Sequence, residues 1–295
     1  MLCKICKSEK CKIIYKGKLR RGSFGNYTSE EYPMYMCENC ECIWHDKIID
    51  DIDNYYRSEE YRNDIDEKSA KDYYAIHDQE VLEKLNYTGT NIFRDKVVAD
   101  IGCGAGSFLD FISGVTDKTL AVEPTDMFHN ELKRKGHEVF HYMSEVQDKY
   151  CGKLDVITSF DVIEHVENPV EFLAEQKNLL KPDGKIITGT PSSAVLMRRV
   201  LGKEYEEFLY SFQHPWIFSG VTLESIAEQA GLTNIRIEYK QRYGLSNLIS
   251  WLINHKPMGQ VKYDYISEAI ESGWKRDLEQ REVADYIILY ASKLV

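Results

Sequence analysis

From Lys96 onward, short runs rich in β-branched residues take turns with amphipathic stretches of helical period. The runs are "KVVADI", "KTLAVEP", "HEVFHY", "KLDVITSF", "KIITGTP", "NIRIEYKQ" and "DYIILYAS". Between them lie a helix from Ser107, one near "MFHNELKRKG", one in "NPVEFLAEQKNLLKPDG" closed by Gly184, and "VTLESIAEQAG". Strands alternating with helices of this length predict a mainly parallel sheet covered on both faces. A polar and aromatic segment leads up to about Gly220, and a helical insertion is expected over about 245–281, ahead of the last strand.

The first third of the chain is patterned differently. Residues 50–92 are dense in charge and tyrosine, and Tyr74, His77, Val81 and Leu85 recur at three to four, which predicts an amphipathic lid or linker helix in the second half of that stretch. Residues 1–48 read as short strands joined by Gly-containing turns, with too few apolar positions to build a core alone. The expected division is a cysteine module at 1–48, a helical linker at 49–92 and an α/β domain at 93–295.

Composition narrows the class. The 295 residues are 43% hydrophobic, enough for a proper core, and the formal net charge of -11 argues against a phosphate-tracking surface for nucleic acid. The opening "MLCKICKSEK" has no apolar signal region and no run of 18 apolar residues occurs, so a cytoplasmic protein without a membrane span is expected. Six of the eight cysteines fall within the first 42 residues, which in a reducing compartment points to metal and not to disulfides.

Candidate chemistry begins at "VVADIGCGAGSFLDF". Gly102, Gly104 and Gly106 alternate, unlike the G-x-G-x-x-G of dinucleotide loops, and Asp100 stands two residues ahead. An aspartate beside bare backbone amides suits a ligand carrying an ammonium, a carboxylate and a ribose. Glu123, 23 residues beyond Asp100 in "LAVEPTD", is placed to accept both ribose hydroxyls.

On these residues the chain resembles the class I S-adenosylmethionine-dependent methyltransferases, whose motif has the form D-x-G-C-G-x-G-x-F. The likeness extends through "VEP", "KLDVITSFDVIEHVENP" and "LLKPDGKIITGTP", over about residues 95–240. It implies a Rossmann-like domain with a seven-stranded, mainly parallel sheet and S-adenosylmethionine as cofactor. It further implies that Asp100, Gly102, Cys103, Gly104 and Gly106 hold the methionine part and that Glu123, followed by Pro124, holds the ribose. Met143 and Ser144 would flank the adenine, and Ser159 and Phe160 would line the other side.

Cys3 with Cys6 and Cys37 with Cys40 form two C-x2-C pairs separated by 30 residues. Four thiolates satisfy tetrahedral zinc with no open position, so the site would be structural, in a zinc-ribbon-like module. The interval exceeds the usual roughly 15 to 20 residues, which a longer hairpin absorbs; Cys11, Cys42 and His45 are spare ligands, and unliganded thiols are the alternative. A four-cysteine module ahead of this domain also resembles bacterial sugar methyltransferases, including those that methylate carbon on nucleotide-linked deoxysugars.

A sulfonium is already an activated electrophile, so the protein must align an acceptor and often remove its proton. "IEHVENP" offers Glu164 and His165, and "LYSFQHPWIFSGVTL" offers His214, both beyond sheet strands at the carboxyl edge. His214 is the candidate base or a packed residue of the aromatic segment; His165 is a second base or a loop brace; Glu164 reads as an orienting partner. The sugar C-methyltransferases carry a pattern like Y-x-E-H where this chain has Ser211, Phe212, Gln213 and His214, so only the histidine matches. That departure favours a hydroxyl or amine acceptor over carbon, because one imidazole can take the proton.

The leading expectation is O-methylation of a sugar or sugar-derived small molecule, with N- or C-methylation as alternatives. A quinone or lipid-precursor methyltransferase is a further alternative, since "DVIEHVENP" is common there too. A zinc-bearing adaptor without turnover belongs to a different class and would have no need of Asp100, the glycines and Glu123. Acceptor and oligomeric state are left open by the sequence.

Overall fold

The computed structural model describes residues 1–46, 49, 52–58, 60–65 and 67–294. They divide into two compact units. One comprises Met1–Lys47, Thr190–Ser225 and Ile237–Ile288, the other Ile48–Gly189, Ile226–Arg236 and Leu289–Val295. The boundary expected after residue 48 falls outside the described residues.

In chain order, β1 (Cys11–Arg20), β2 (Tyr27–Cys37) and β3 (Ile43–Trp44) precede three helices, α1 (Ile52–Arg57), α2 (Glu60–Asp64) and α3 (Ala70–Thr88). An alternating run follows: β4 (Val97–Ile101), α4 (Ser107–Ile112), β5 (Lys118–Val122), α5 (His129–Arg134), β6 (Glu138–Phe140), α6 (Met143–Tyr150), β7 (Leu154–Phe160), α7 (Pro169–Leu179) and β8 (Leu180–Pro191). The remainder is α8 (Leu196–Leu201), α9 (Lys203–Leu209), β9 (Trp216–Ile217), α10 (Gly220–Gln229), β10 (Thr233–Lys240), α11 (Leu245–Asn254), α12 (Glu268–Gln280) and β11 (Tyr286–Ser292).

The large sheet has the order β10-β11-β8-β7-β4-β5-β6. β4 pairs in parallel with β5 and β7, β5 with β6, and β7 with β8. β11 runs the other way. Its start lies at the end of β8, Ser192 N bonding Asp285 O at 3.0 Å, while Lys293 N reaches back to Gly184 O at 3.0 Å. The chain moves outward in both directions from β4, and such a reversal opens a crevice at the carboxyl ends of the strands, where α/β sheets bind ligands. Val98, Ala99, Leu120, Ala121, Val156 and Ile157 are buried, as strands covered on both faces require.

Helix ends follow local chemistry. Ser69 caps α3 by accepting from Asp72 N at 3.2 Å, and Asn168 caps α7 by accepting from Glu171 N at 3.3 Å, with Pro169 in the first turn. The helix expected to run to Gly184 instead stops at Leu179, and β8 begins at Leu180. Pro182 explains the difference: it lacks an N–H and pushes Lys181 out of helical conformation. The aromatic stretch before Gly220 contains α8 and α9, which the sequence did not predict; Gly202, at φ +56, separates them. Val195, Met197 and Tyr205 cluster with Trp251 of α11.

The small sheet has the order β1-β2-β3-β9, each neighbouring pair antiparallel. Tyr15, Leu19, Met34 and Ile43 cluster with Tyr210 and Ile217, so the cysteine segment borrows apolar side chains from beyond residue 200 to complete its core.

Candidate functional site

The loop between β4 and α4 carries the three alternate glycines. Gly102, Gly104 and Gly106 have φ of +72, +55 and +86, a region that side chains with a Cβ rarely adopt. Space forbids a Cβ as well, which would come within 2.5 Å of Val162 at Gly102 and of Leu132 at Gly106. The alternation is therefore a backbone requirement, and it turns the chain sharply from the end of β4 into α4. Cys103 lies buried in the turn.

Asp100 closes β4 and is buried; it accepts a hydrogen bond from Thr158 Oγ1 at 2.6 Å. Burial disfavours its charged form more than Thr158 and Lys84 favour it, and the carboxyl is pushed up to about 7. Beside it is a cavity of about 20 Å³, bounded by Asp100, Gly102 and Phe160 and, from α3, by Tyr73, His77 and Lys84. Room for about one water is far too little for a nucleoside.

Glu123, at the end of β5, is buried and fully engaged. Oε1 accepts from Thr125 N at 3.2 Å, while Oε2 accepts from Gly104 N at 2.9 Å and from the Arg62 guanidinium at 3.1 Å. Arg62 in turn binds Glu67 at 2.6 Å, and Glu67 binds His77 Nε2 at 2.5 Å. Burial by itself would depress the Arg62 guanidinium, but Glu123 and Glu67 hold it above its ordinary value. For His77 burial is likewise outweighed, by hydrogen bonds to Glu67 and Glu80, and its pKa stands at about 9. The Tyr73 ring sits where a Cβ on Gly104 would be, with its hydroxyl 3.4 Å from Cys103 O. Residues of α2 and α3 thus cover the glycine loop and pair with its acid.

The clamp formed by Arg62, Glu67, Tyr73 and His77 was not legible as such; only the helical period around Tyr74 and His77 pointed to this segment. Thr158 and Lys84 were missed too. Lys84 pairs with Asp161 at 3.3 Å and lies 5.0 Å over the Phe160 ring.

The other expected cofactor residues fall at strand ends. Ser159 and Phe160 close β7; Ser159 Oγ bonds Thr188 Oγ1 at 2.9 Å, and Phe160 packs on Phe108. Met143 and Ser144 open α6 straight after β6, the first half-buried and the second exposed. Pro124 is half-buried behind Glu123. Because β4, β5, β6 and β7 are parallel neighbours, all these positions reach the same edge of the sheet.

Glu164 and His165 are buried just beyond β7. His165 Nδ1 is 2.8 Å from the Tyr56 hydroxyl, and the rings of Tyr56 and Tyr61 stand edge-on to the imidazole. Two tyrosines of the charge- and tyrosine-rich stretch therefore flank a histidine. His214 belongs to the other compact unit, where it is half-buried in a turn closed by its own N–H on Ser211 O at 3.1 Å.

The four paired cysteines come together. Cys3 Sγ and Cys40 Sγ are 3.6 Å apart, as are Cys6 Sγ and Cys37 Sγ, and all four sulfurs lie within 4.8 Å of one another. Tetrahedral zinc with bonds of about 2.3 Å separates its sulfurs by about 3.8 Å, so the cluster fits that ion. The spare candidates Cys11, Cys42 and His45 stand outside the set.

The strand order, the glycine turn and the buried acid at the end of β5 define a doubly wound α/β protein, a class whose ligands bind at the switch point. A family profile described as a methyltransferase domain matches residues 73–237, and the chain belongs to that family. A ubiquinone biosynthesis O-methyltransferase of Actinobacillus pleuropneumoniae is 27% identical over 137 residues, 42% of this chain and 58% of that protein. A counterpart from Glaesserella parasuis is 30% identical over 129 residues, 39% of this chain and 55% of its own length. The chain thus spans little more than half of these relatives.

Among solved structures, a SAM-dependent methyltransferase from Archaeoglobus fulgidus superposes with TM-score 0.52 at 18% identity, covering 73% of this chain and 94% of that one. Phosphoethanolamine N-methyltransferase 2 of Haemonchus contortus gives 0.54 at 15% identity, over 86% of this chain and 62% of that one. These two likenesses carry the fold alone.

Proposed function

We propose that the chain transfers a methyl group from S-adenosylmethionine to a hydroxyl of a small-molecule acceptor. The observation that carries this is the convergence of Asp100, the three left-handed glycines and Glu123 at one switch point. Asp100 would take the ammonium of the cofactor, the loop amides its carboxylate, and Glu123 its ribose hydroxyls. Phe160 and Ser159 would face its methyl end, and Met143 and Ser144 its adenine.

The bound cofactor supplies a sulfonium whose methyl carbon is open to in-line attack. The chain's own residues exclude water, orient the acceptor and remove its proton. We assign proton removal to His214; Glu164 serves as an orienting partner, and His165, whose ring the Tyr56 hydroxyl holds through Nδ1, is the second candidate base. The four cysteines hold zinc as a structural ion with no open coordination position.

For the acceptor class, the four-cysteine module supports a sugar or sugar-derived metabolite, while the relatives' names support a hydroxylated quinone precursor. Both offer a hydroxyl to one general base. The test is incubation of the zinc-loaded chain with methyl-labelled cofactor against nucleotide sugars and hydroxylated quinone precursors, followed by mass spectrometry. A labelled methyl ether on either set is the expected product. Label on carbon or nitrogen, or none with any acceptor despite cofactor binding, would remove the O-methyl assignment.

A further inference from the structure

We propose a second metal site, for a divalent cation of the zinc, cobalt or nickel class, held by Asp126, His129 and His141. The topology brings the three together. β5 and β6 are parallel neighbours with Val122 opposite Phe140, so the residues that follow each strand leave the sheet side by side. Asp126 sits in the 3-10 turn after β5, His129 opens α5, and His141 directly follows β6.

One donor atom from each lies within 4.8 Å of the other two. Asp126 Oδ1 is 2.9 Å from His141 Nε2 and 3.7 Å from His129 Nδ1, and the two imidazole centroids are 4.3 Å apart. A tetrahedral ion with ligands at about 2.1 Å separates its donors by about 3.4 Å, which these distances bracket. Two imidazoles and one carboxylate are a borderline ligand set, suited to zinc, cobalt or nickel more than to magnesium or calcium.

The far nitrogen of each ring gives an independent reason to see a built site. His129 Nε2 is 2.7 Å from Glu123 O, an acceptor only, so that nitrogen carries the proton and a neutral ring turns its Nδ1 lone pair toward Asp126. His141 Nδ1 is 3.6 Å from Glu145 Oε1, in the first turn of α6, while Glu145 Oε2 also accepts from His141 N at 3.0 Å. A backbone carbonyl behind one histidine and a carboxylate behind the other are the supports that orient metal-bound imidazoles. Without metal, one proton occupies the contact between His141 Nε2 and Asp126 Oδ1. The cation takes its place, and the ring's one proton is carried on Nδ1, on the side of Glu145. Asp126 is largely exposed, so a fourth position remains open to water.

The site shares no residue with the four-cysteine cluster, and its test separates the two. The full chain is first loaded with zinc at the cysteines, cleared of excess, and titrated with cobalt(II). The expected result is one further equivalent, seen as ligand-field absorption without thiolate charge transfer. His141→Ala and Asp126→Asn should each weaken it by more than tenfold, and Glu145→Gln by about tenfold, with unchanged far-ultraviolet circular dichroism. Both residues replaced in the first two variants are partly exposed, which keeps the fold out of the comparison. Absence of the band up to millimolar cobalt, a band with thiolate charge transfer, or equal binding in His141→Ala would overturn the site.

Discussion

Asp100 and Glu123 are both buried carboxylates at strand ends, yet their surroundings differ. Glu123 is surrounded by donors, whereas Asp100 has Thr158 and little else, and burial lifts it to about 7. Its folded pKa lies above the ordinary carboxylate value, so the free protein holds a proton there below about pH 7 that must leave when a cationic ammonium binds. The sign follows: affinity for S-adenosylmethionine should rise with pH up to about 7 and then level off, with one proton released per cofactor below that point. Calorimetry in buffers of different ionisation enthalpy measures the release, and Asp100→Asn should abolish it along with the pH slope. A slope of the opposite sign would refute the role given to Asp100.

At Glu123, replacement by alanine leaves two ribose hydroxyls without an acceptor and should cost about 1 to 3 kcal/mol of cofactor affinity. An unchanged dissociation constant removes the assignment. His214→Ala should lower turnover by roughly 10² to 10⁴ while leaving cofactor affinity alone. If His214→Gln retains turnover and the pH profile is flat, the histidine is a packing residue. At this scale the sequence was most legible where the backbone has no freedom: the left-handed turn needs glycines at alternate positions, and the acid must follow on the next strand. Arg62 was illegible because its partner Glu123 is 61 residues away and no local pattern links them.

At the scale of elements, α2 and α3 close the site that β4 and β5 build. Arg62 occupies the oxygen of Glu123 that the proposed function gives to the ribose, and Tyr73 covers Gly104, so on that proposal the covered state would compete with cofactor. When only a fraction of molecules is open, apparent affinity falls by that fraction. Arg62→Ala removes the competitor and should speed cofactor association and loosen hydrogen-exchange protection of α3; an unchanged association rate with normal folding would contradict the clamp. The His77 pKa of about 9 gives the clamp a pH window. A raised folded pKa contributes stability that is complete below about 6.5 and is lost as pH rises through 9, so α3 should open more readily above that value. Sequence period located α3 but not its role, and it overran α7 because the apolar pattern continues past Leu179 while Pro182 ends the helix.

Across the whole molecule, the alternation of strand and helix was legible from Lys96 onward because each buried strand must be covered on both faces. The attachments of the cysteine segment were not, since they depend on chain far away in sequence. Cys40 O accepts from Ser219 Oγ at 3.2 Å and from Thr222 Oγ1 at 2.5 Å, and Tyr210 and Ile217 complete the apolar cluster of β1, β2 and β3. Metal at the four cysteines should therefore stabilise more than the first 47 residues. Structural zinc in small modules contributes on the order of 10 kcal/mol, comparable to the whole stability of a typical domain, so its loss should unfold the small sheet and release its remote partners with it. As purified, the chain should carry one tightly held zinc, and Cys37→Ser should lose it. Limited proteolysis with mass spectrometry should then find new cleavage both in β1–β2 and in residues 203–217, whereas β4 to β7 stay protected. If chelation exposes the cysteine segment and leaves 203–217 resistant, the metal stabilises only its own knuckles. Cofactor binding measured on the same sample decides the remaining point, because a structural ion predicts that Glu123 and Asp100 still bind S-adenosylmethionine after the zinc is gone.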